Sequence, residues 1–322
     1  MSDPTSSSPT GFYLAVACMA LAMPLLMGSA SSAAAVLVFG IAAAACNLLL
    51  GYAGQLSFAQ GAFFGAGSYG AGLLLKAWPG LGVAALPLAA LAGASVAAAV
   101  GLLSVRQRGI YGVMITLAMG QLAFFAALSF PQLTGGENGL LDIPRPVTGL
   151  EGWLGPEVAH YVLVALGFAG ALALLRRVLR SSFGRILDAI RENEVRAATA
   201  GYDVRRFKLL AFCLSGGVTG LAGALYATQL RSAPLSSIDL ATSEMILIMS
   251  ILGGRRSLPG AVLGAMAMTL MAEHLSAWWP RWQMLVGMVL IGAVLFAPNG
   301  LAGLAARWRR RLAGGPAREA LP

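Results

Sequence analysis

The sequence predicts an all-α fold, a polytopic helical membrane protein with about ten transmembrane helices, both termini cytoplasmic and one broken or re-entrant segment. Of its 322 residues, 58% are hydrophobic and 11% are charged, and the mean hydropathy is +0.76. Soluble domains carry a charged fraction near a quarter, so this chain cannot cover a water-exposed surface. In addition, apolar runs recur from residue 11 to residue 297, each close to the roughly 20 residues that cross a hydrocarbon core.

These runs predict ten spans. In chain order they lie near residues 11–28, 31–50, 61–75, 81–103, 110–129, 160–175, 209–228, 241–252, 259–275 and 282–297. The first run is expected to be a retained span rather than a signal peptide, because residues 1–10 contain no Lys or Arg. The chain therefore divides into a short N-terminal tail over 1–10, a single transmembrane domain over 11–304 and a basic tail over 305–322.

The distribution of positive charge orients these spans. One set of loops holds 18 of the 22 Lys and Arg residues, and the opposite set holds 4. Because cytoplasmic loops near span ends accumulate Lys and Arg, both termini are expected inside. The net charge of +9 is then a signal of orientation, and no nucleic-acid partner is expected. Two loops exceed simple turns: 130–159 is expected as an ordered external cap, and 176–208 as a cytoplasmic loop with a helix from Arg185 to Ala200 that stops at Gly201.

Several kinds of chemistry are missing from the sequence. Gly65, Gly67 and Gly70 match a dinucleotide-binding pattern, but they lie inside a membrane run. Small-xxx-small spacing, which occurs at Gly61 and Gly65 and again at 216–220 and 260–264, predicts close helix approach instead. No phosphate-binding loop lysine and no metal-ligand spacing occurs, so neither a metal nor another cofactor is expected in this chain. Glu244 and Glu273 are the intramembrane acids, both expected near the outer end of a span, whereas proton-coupled carriers need buried ionisable groups along their path.

The stretch GYAGQLSFAQGAFFGAGSYG over 51–70 interrupts an apolar region with glycines and polar residues. Backbone that leaves the helix inside a membrane is tolerated only where protein or a water-filled cavity surrounds it. Transporters use such breaks to expose backbone groups to substrate near the midplane. The residues predicted to line a permeation path are Gln55, Ser57 and Gln60, with Thr116 and Gln121 of the fifth span. The alternative is that these side chains only hydrogen-bond neighbouring helices.

Six stretches support a resemblance to a known family, and they occur in the family's order. They are GYAGQLSFAQGAFFGAGSYGAGLL, RGIYGVMITLAMGQ, LTGGENGLLDIP, AIRENEVRAATAGYDVRRFKLLAF, ILGGRRSLPGAVLGA and FAPNGLAGL. The chain resembles the permease subunit of bacterial branched-chain amino-acid ABC importers, the second of their two homologous permeases. Such proteins often have His where this chain has Gln60. This difference does not change the family that the chain resembles, but the resemblance then does not determine the substrate.

The resemblance implies a fold of about ten helices related to that of ribose and cobalamin importer permeases, in the bacterial plasma (inner) membrane. It also implies as partners a homologous second permease, two ATPase subunits and an external substrate-binding protein. ATP and Mg²⁺ would then be bound by the ATPase subunits, not by this chain. Permeases for urea, amides or other amino acids are alternatives within the family. An ATP-independent carrier or channel, or a membrane enzyme, is an alternative outside it.

The helix expected in the cytoplasmic loop carries more apolar residues than a freely solvated helix needs, so it is predicted to dock into an ATPase groove. The residues assigned to this coupling surface are Arg185, Asp188, Arg191, Glu192, Asn193, Glu194, Ala197, Ala198 and Gly201. Ala197 and Ala198 are both expected to face the partner. The alternative is a solvated basic helix, stabilised by the Glu192 and Arg196 pair at a spacing of four.

Overall fold

The structure is a computed structural model that describes residues 16–20, 22–24, 28–107, 109–146, 155–278, 282–296, 300–301 and 303. Its helices in chain order are α1 Ala30–Asn47, α2 Gln60–Ala77, α3 Ala85–Ser104, α4 Ile110–Ser129, α5 Pro131–Thr134, α6 Pro156–Arg180, α7 Ser182–Glu192, α8 Glu194–Thr199, α9 Val204–Leu230, α10 Leu240–Gly253, α11 Leu258–Trp278 and α12 Trp282–Phe296. The described residues form no β-strand, only an isolated bridge between Leu140 and Ala233. The predicted all-α fold is confirmed.

Six helical segments are long and apolar enough to cross a membrane. They are Ala30–Tyr52, Pro79–Ser104, Ile110–Ser129, Pro156–Arg180, Val204–Leu230 and Leu258–Leu275, and the shorter apolar helices Leu240–Gly253 and Gln283–Gly292 accompany them. This agrees with a polytopic membrane protein. Half of the expected span at 11–28 lies outside the described residues, and its described residues 16–20 and 22–24 are helical. Both expected tails, 1–10 and 305–322, lie outside the described residues.

The centre of the fold is α9, which packs against α1, α2 and α3. Glycines make this packing close: a Cβ at Gly93 of α3 would lie 2.6 Å from the carbonyl oxygen of Gly216 and 2.7 Å from the Cα of Gly220. Gly61 and Gly65 contact the turn before α10 in the same way, and Gly264 lies against Gly253. The close helix approach predicted from small-xxx-small spacing is therefore confirmed at 216–220 and 260–264, whereas Gly61 and Gly65 lie against residues 238 and 239 of the turn before α10.

The segment before α6 folds back over one end of the bundle, the end that the sequence predicts to be external. Leu140 and Ala233 exchange two backbone hydrogen bonds, of 3.0 and 2.8 Å, and Ile143 N donates to Arg231 O at 2.8 Å. Ile143 is fully buried, and Leu140 and Ile143 both contact Gly72 of α2. We call residues 130–146 the outer cap. Residues 147–154 of the predicted external loop lie outside the described residues.

The predicted cytoplasmic loop over 176–208 differs from its prediction in one respect. Instead of one helix from Arg185 to Ala200, the chain forms α7 and α8, separated by Asn193 in an extended conformation (φ −157°, ψ 105°). The Asn193 side chain accepts a 2.9 Å hydrogen bond from Arg196 N, so it caps α8 as Asn commonly does. Glu192 and Arg196 consequently lie on different helices, and the predicted pair within one helix was wrong. Gly201, at φ +91°, ends α8 as predicted.

Candidate functional site

The predicted break lies between α1 and α2. The end of α1 widens into a π-helix over Leu48–Tyr52, residues 53–59 are not helical, and α2 begins at Gln60. Gly54 lies at φ +66°, a backbone conformation that glycine adopts without strain. We call residues 53–59 the break segment.

Hydroxyl groups from α4, from α10 and from the break segment itself satisfy the backbone of the break segment and the start of α2. Phe58 N donates to Thr116 Oγ1 at 3.1 Å, and Ala59 N donates to Ser57 Oγ at 3.3 Å. Gly61 N donates to Ser243 Oγ at 2.7 Å. Inside a membrane no water replaces such partners, so these hydroxyls permit the helix to be interrupted here.

Gln60 lies at the contact of α1, α2 and α9 and is fully buried. Its Oε1 accepts a 2.9 Å hydrogen bond from the Thr219 hydroxyl, and its Nε2 donates to Ser215 Oγ at 3.3 Å. The Ser215 hydroxyl in turn donates to Ala45 O at 2.8 Å. Gln60 therefore joins three helices by hydrogen bonds within this chain.

The five predicted path residues thus fall into two groups. Ser57, Gln60 and Thr116 are buried in hydrogen bonds of this chain, whereas Gln55 and Gln121 are half-buried. The structure brings Ser57 and Thr116 to the same turn of backbone, where Thr116 accepts from Phe58 N and Ser57 accepts from Ala59 N. A role in the path stays a prediction for all five, with Gln55 and Gln121 offering the more accessible amides.

Asn47, at the end of α1, fixes the turn between α10 and α11. Its Nδ2 donates to Gly254 O at 2.9 Å, and its Oδ1 accepts from Arg256 N at 3.0 Å. Tyr52 donates its hydroxyl to Arg256 O at 2.9 Å, and the Arg256 guanidinium lies 5.7 Å from the centre of the Tyr52 ring. Asn47 and Arg256 are not among the site residues predicted from the sequence. The signal that could have found Asn47 is an amide side chain in an otherwise apolar run.

The helix α7 is attached to this same region by two contacts. Arg191 Nη1 donates at 2.6 Å to the carbonyl oxygen of Gly51, which lies in the π-helix before the break segment. Arg256 Nη2 donates to Asp188 Oδ2 at 2.9 Å. Further along, Glu194 forms an ion pair with Lys208, whose side chain is only 4% exposed. Asp188, Arg191 and Glu194 therefore hold α7 and α8 on this chain's own membrane helices.

The outward surface of α7 and α8 consists of other residues. Arg185, Glu192, Asn193, Ala198 and Gly201 are exposed. Val195 and Tyr202 are also exposed, at 61% and 44%. Ala197 is only 5% exposed, so the prediction that it faces a partner was wrong. With the chain broken at Asn193, α8 turns Ala197 inward and leaves Ala198 outward.

Comparison with known proteins decides the family. Residues 28–297 match the family described as "Branched-chain amino acid transport system / permease component". The chain belongs to this family. It is the permease subunit of an ABC importer and a multi-pass protein of the inner membrane. No solved structure matches this permease.

Curated relatives support the assignment. The permease is 28% identical over 315 residues to the high-affinity branched-chain amino acid transport system permease protein LivM of Escherichia coli (strain K12), covering 90% of this chain and 74% of the relative. LivM of Salmonella typhimurium is 29% identical with the same coverage. The autoinducer 2 import system permease protein LsrC of Klebsiella pneumoniae is 31% identical over 191 residues, which are 56% of this chain and 53% of LsrC.

The described part of the permease contains no group of three His, Cys, Asp or Glu side chains that could hold a metal ion. Its three cysteines, Cys18, Cys46 and Cys213, are all free. The geometry offers an interrupted helix held by hydroxyl groups, with the helix pair α7 and α8 bonded beside it.

Proposed function

We propose that this permease forms the translocation path for an amino acid, most consistent with a branched-chain one, together with a homologous second permease. An external binding protein delivers the substrate, and two ATPase subunits, which bind ATP and Mg²⁺, supply the energy. The match over residues 28–297 carries this proposal, and the LivM relatives, which align over 90% of the chain, support the substrate class.

The proposed topology has ten spans with both termini cytoplasmic. The helices α1, α2, α3, α4, α6, α9, α10, α11 and α12 supply nine of them, and the apolar run at 11–28 supplies the tenth. Glycines, Gln60 and Lys76 lower the hydropathy of α2, yet it lies between α9 and α3 as a span would. The positively charged α7–α8 loop then faces the cytoplasm, as the excess of Lys and Arg requires.

The proposed ATPase contact is the outward surface of α7 and α8. Val195 and Tyr202 expose apolar area on a segment that lies outside the apolar spans. Exposed apolar side chains on a short helix, surrounded by charged residues, are typical of a helix that docks into a partner's groove. Arg191 and Asp188 transmit the contact inward, because they bond to Gly51 and Arg256 beside the break segment.

A second candidate substrate is autoinducer 2, because LsrC relatives match part of the chain. The two candidates are separated by competition: autoinducer 2, added in excess, should inhibit uptake of a labelled amino acid only if both solutes use the same site. Urea, amides and other amino acids remain alternatives within the family. The LivM relatives cover more of this chain than LsrC does, which places amino acids first.

Reconstitution tests the proposal. The purified chain is placed in liposomes alone, or together with the second permease, both ATPase subunits and the binding protein. Uptake of radiolabelled amino acids from a panel is then followed with and without ATP. We expect only the complete complex to take up a branched-chain amino acid, and only when ATP is present. Saturable uptake by the isolated chain would instead establish an ATP-independent carrier, and selective uptake of autoinducer 2 would reassign the substrate.

A further inference from the structure

Glu244 lies in the second turn of α10, directly after Ser243, which contacts the beginning of α2. Its neighbour Ser243 accepts the hydrogen bond from Gly61 N, and a Cβ at Gly61 would lie 2.6 Å from Asp239 O. The N-terminal ends of α2 and α10 therefore meet. From this point α2 runs towards the outer cap, which contacts Gly72, and α10 runs towards Asn47, which bonds Gly254. The two helices thus leave a common level in opposite directions.

This common level lies deep in the bundle. Gln60 bonds to Ser215 and Thr219, which flank the midpoint of α9, a helix of 27 residues and about 40 Å. Beyond Gly61, α2 continues for about 24 Å, and beyond Ser243, α10 continues for about 15 Å. The prediction that Glu244 lies near the outer end of a span was therefore wrong. The turn before α10 re-enters the bundle, a path that hydropathy does not reveal.

Glu244 is exposed although Ser243, Ile246 and Leu247 around it are buried. Among the described residues no Lys or Arg forms an ion pair with Glu244. A carboxylate at this depth cannot face lipid without a cost of several kcal/mol, so intramembrane acids face water-filled cavities or protein partners. The side chain therefore requires an aqueous or cationic surrounding that this chain alone does not supply.

We propose that Glu244 lines the substrate path and binds the cationic amine of the transported solute. The inference rests on the proposed function, because it requires an amino-bearing substrate. The position supports a path rather than a subunit contact. Glu244 follows directly on Ser243, which fixes the start of α2, and α10 packs beside α4, the helix that carries the half-buried Gln121.

The neighbouring backbone favours the other end of an amino acid. Two helix N-termini converge beside Glu244, and each carries a partial positive charge. In other transporters such ends lie near anionic substrate groups at the midplane. A zwitterion with its amine on Glu244 would place its carboxylate close to this positive region. The chemistry of the site thus favours zwitterionic amino acids over solutes that carry no charged groups.

The test uses the complete complex in liposomes with the amino acid that the unmodified complex transports best. Glu244→Gln should lower uptake at least about tenfold, since a hydrogen bond to a charged group contributes enough for that factor. Glu244→Asp should retain a larger share of uptake than Glu244→Gln. Glu273→Gln, which removes an exposed acid on α11, is the matched control and should leave uptake unchanged.

Chemical rescue distinguishes a path from a subunit contact. Cys18, Cys46 and Cys213 are first replaced by Ala, and Glu244→Cys is introduced. An anionic sulfonatoethyl thiosulfonate reagent should restore uptake, and a cationic trimethylammonium-ethyl reagent should not. If the thiol is unreactive in the complex, or if Glu244→Gln transports normally, the proposal is overturned. Reduced co-purification of the second permease with Glu244→Gln would assign the residue to the subunit contact instead. If the unmodified complex transports no amino acid, the proposed function is rejected. This outcome differs from rejection of the Glu244 proposal, which requires an unmodified complex that transports.

Discussion

Arg256 Nη2 lies 2.9 Å from Asp188 Oδ2, so an ion pair joins helix α7 to the turn between α10 and α11. Arg256 adopts φ +65°, a left-handed conformation that costs free energy for a residue other than glycine. Asn47 and Tyr52 hold this conformation by bonding to the amide and the carbonyl of Arg256. The turn over 254–257 therefore connects α7 with the end of α1 and the π-helical turn that follows it.

Breaking the ion pair should impair transport more than stability. Its side chains are 38% and 29% exposed, and such pairs contribute only about 0–1 kcal/mol to stability. We expect Asp188→Asn and Arg256→Gln to keep normal membrane abundance, retain ATPase co-purification and hydrolyse more ATP per substrate transported. Uptake and ATP hydrolysis in liposomes measure this ratio. An unchanged ratio in both variants would show that the ion pair does not take part in energy coupling.

Asn47 should be required for the fold. The Asn47→Ala change leaves the Arg256 amide and the Gly254 carbonyl without their buried partner, at about 1–3 kcal/mol for each unsatisfied group. We expect a clear fall in the midpoint of thermal unfolding in detergent and in membrane abundance. Ser95→Ala is the control, because the exposed Ser95 hydroxyl bonds only to Ala92 O of its own helix. Equal stability of the two variants would contradict the assigned role.

Ala197 and Ala198 should respond differently to a charge. Ala197→Glu would bury an unpaired carboxylate, which destabilises the chain, and abundance should fall. Ala198→Glu places the charge on the outward surface, where a central contact residue can contribute about 2 kcal/mol to docking. We expect this variant to remain abundant and to lose ATPase co-purification and uptake, whereas Ala198→Ser behaves as the unmodified chain. Full transport by Ala198→Glu would exclude this surface from coupling.

Gly93 should not accept a side chain. Its position against Gly216 and Gly220 leaves no room for a Cβ, so Gly93→Ala should separate α3 from α9 and reduce abundance. Gly170→Ala is the matched control, because a Cβ there meets nothing within 4 Å. That change should be neutral or stabilising, by up to about 1 kcal/mol, since Ala favours a helix. A comparable loss of abundance in both variants would mean that the close packing at Gly93 does not cause the loss.

Local patterns determined much of the fold. Hydropathy alone predicts a helical membrane protein, because every segment that spans lipid must satisfy its own backbone. The interruption at Gly51 to Gln60 and the helix stop at Gly201 are also local, since glycine and polar residues act within a few positions of where they lie. The helical conformation of most of 185–200 also followed from local composition, but the division into α7 and α8 at Asn193 did not.

The tertiary structure alone decided which distant groups meet. Asn47 reaches a turn about 200 residues away, Gln60 is paired with Thr219, and Ala197 turns inward after the break at Asn193. Glu244 lies deep in the bundle because residues 231–239 re-enter it, although the sequence places this acid near the end of an apolar run. Hydropathy is a one-dimensional average that registers only whether a segment is apolar. Depth and pairing depend on which helices pack together, and that is set by the shapes of side chains far apart in sequence.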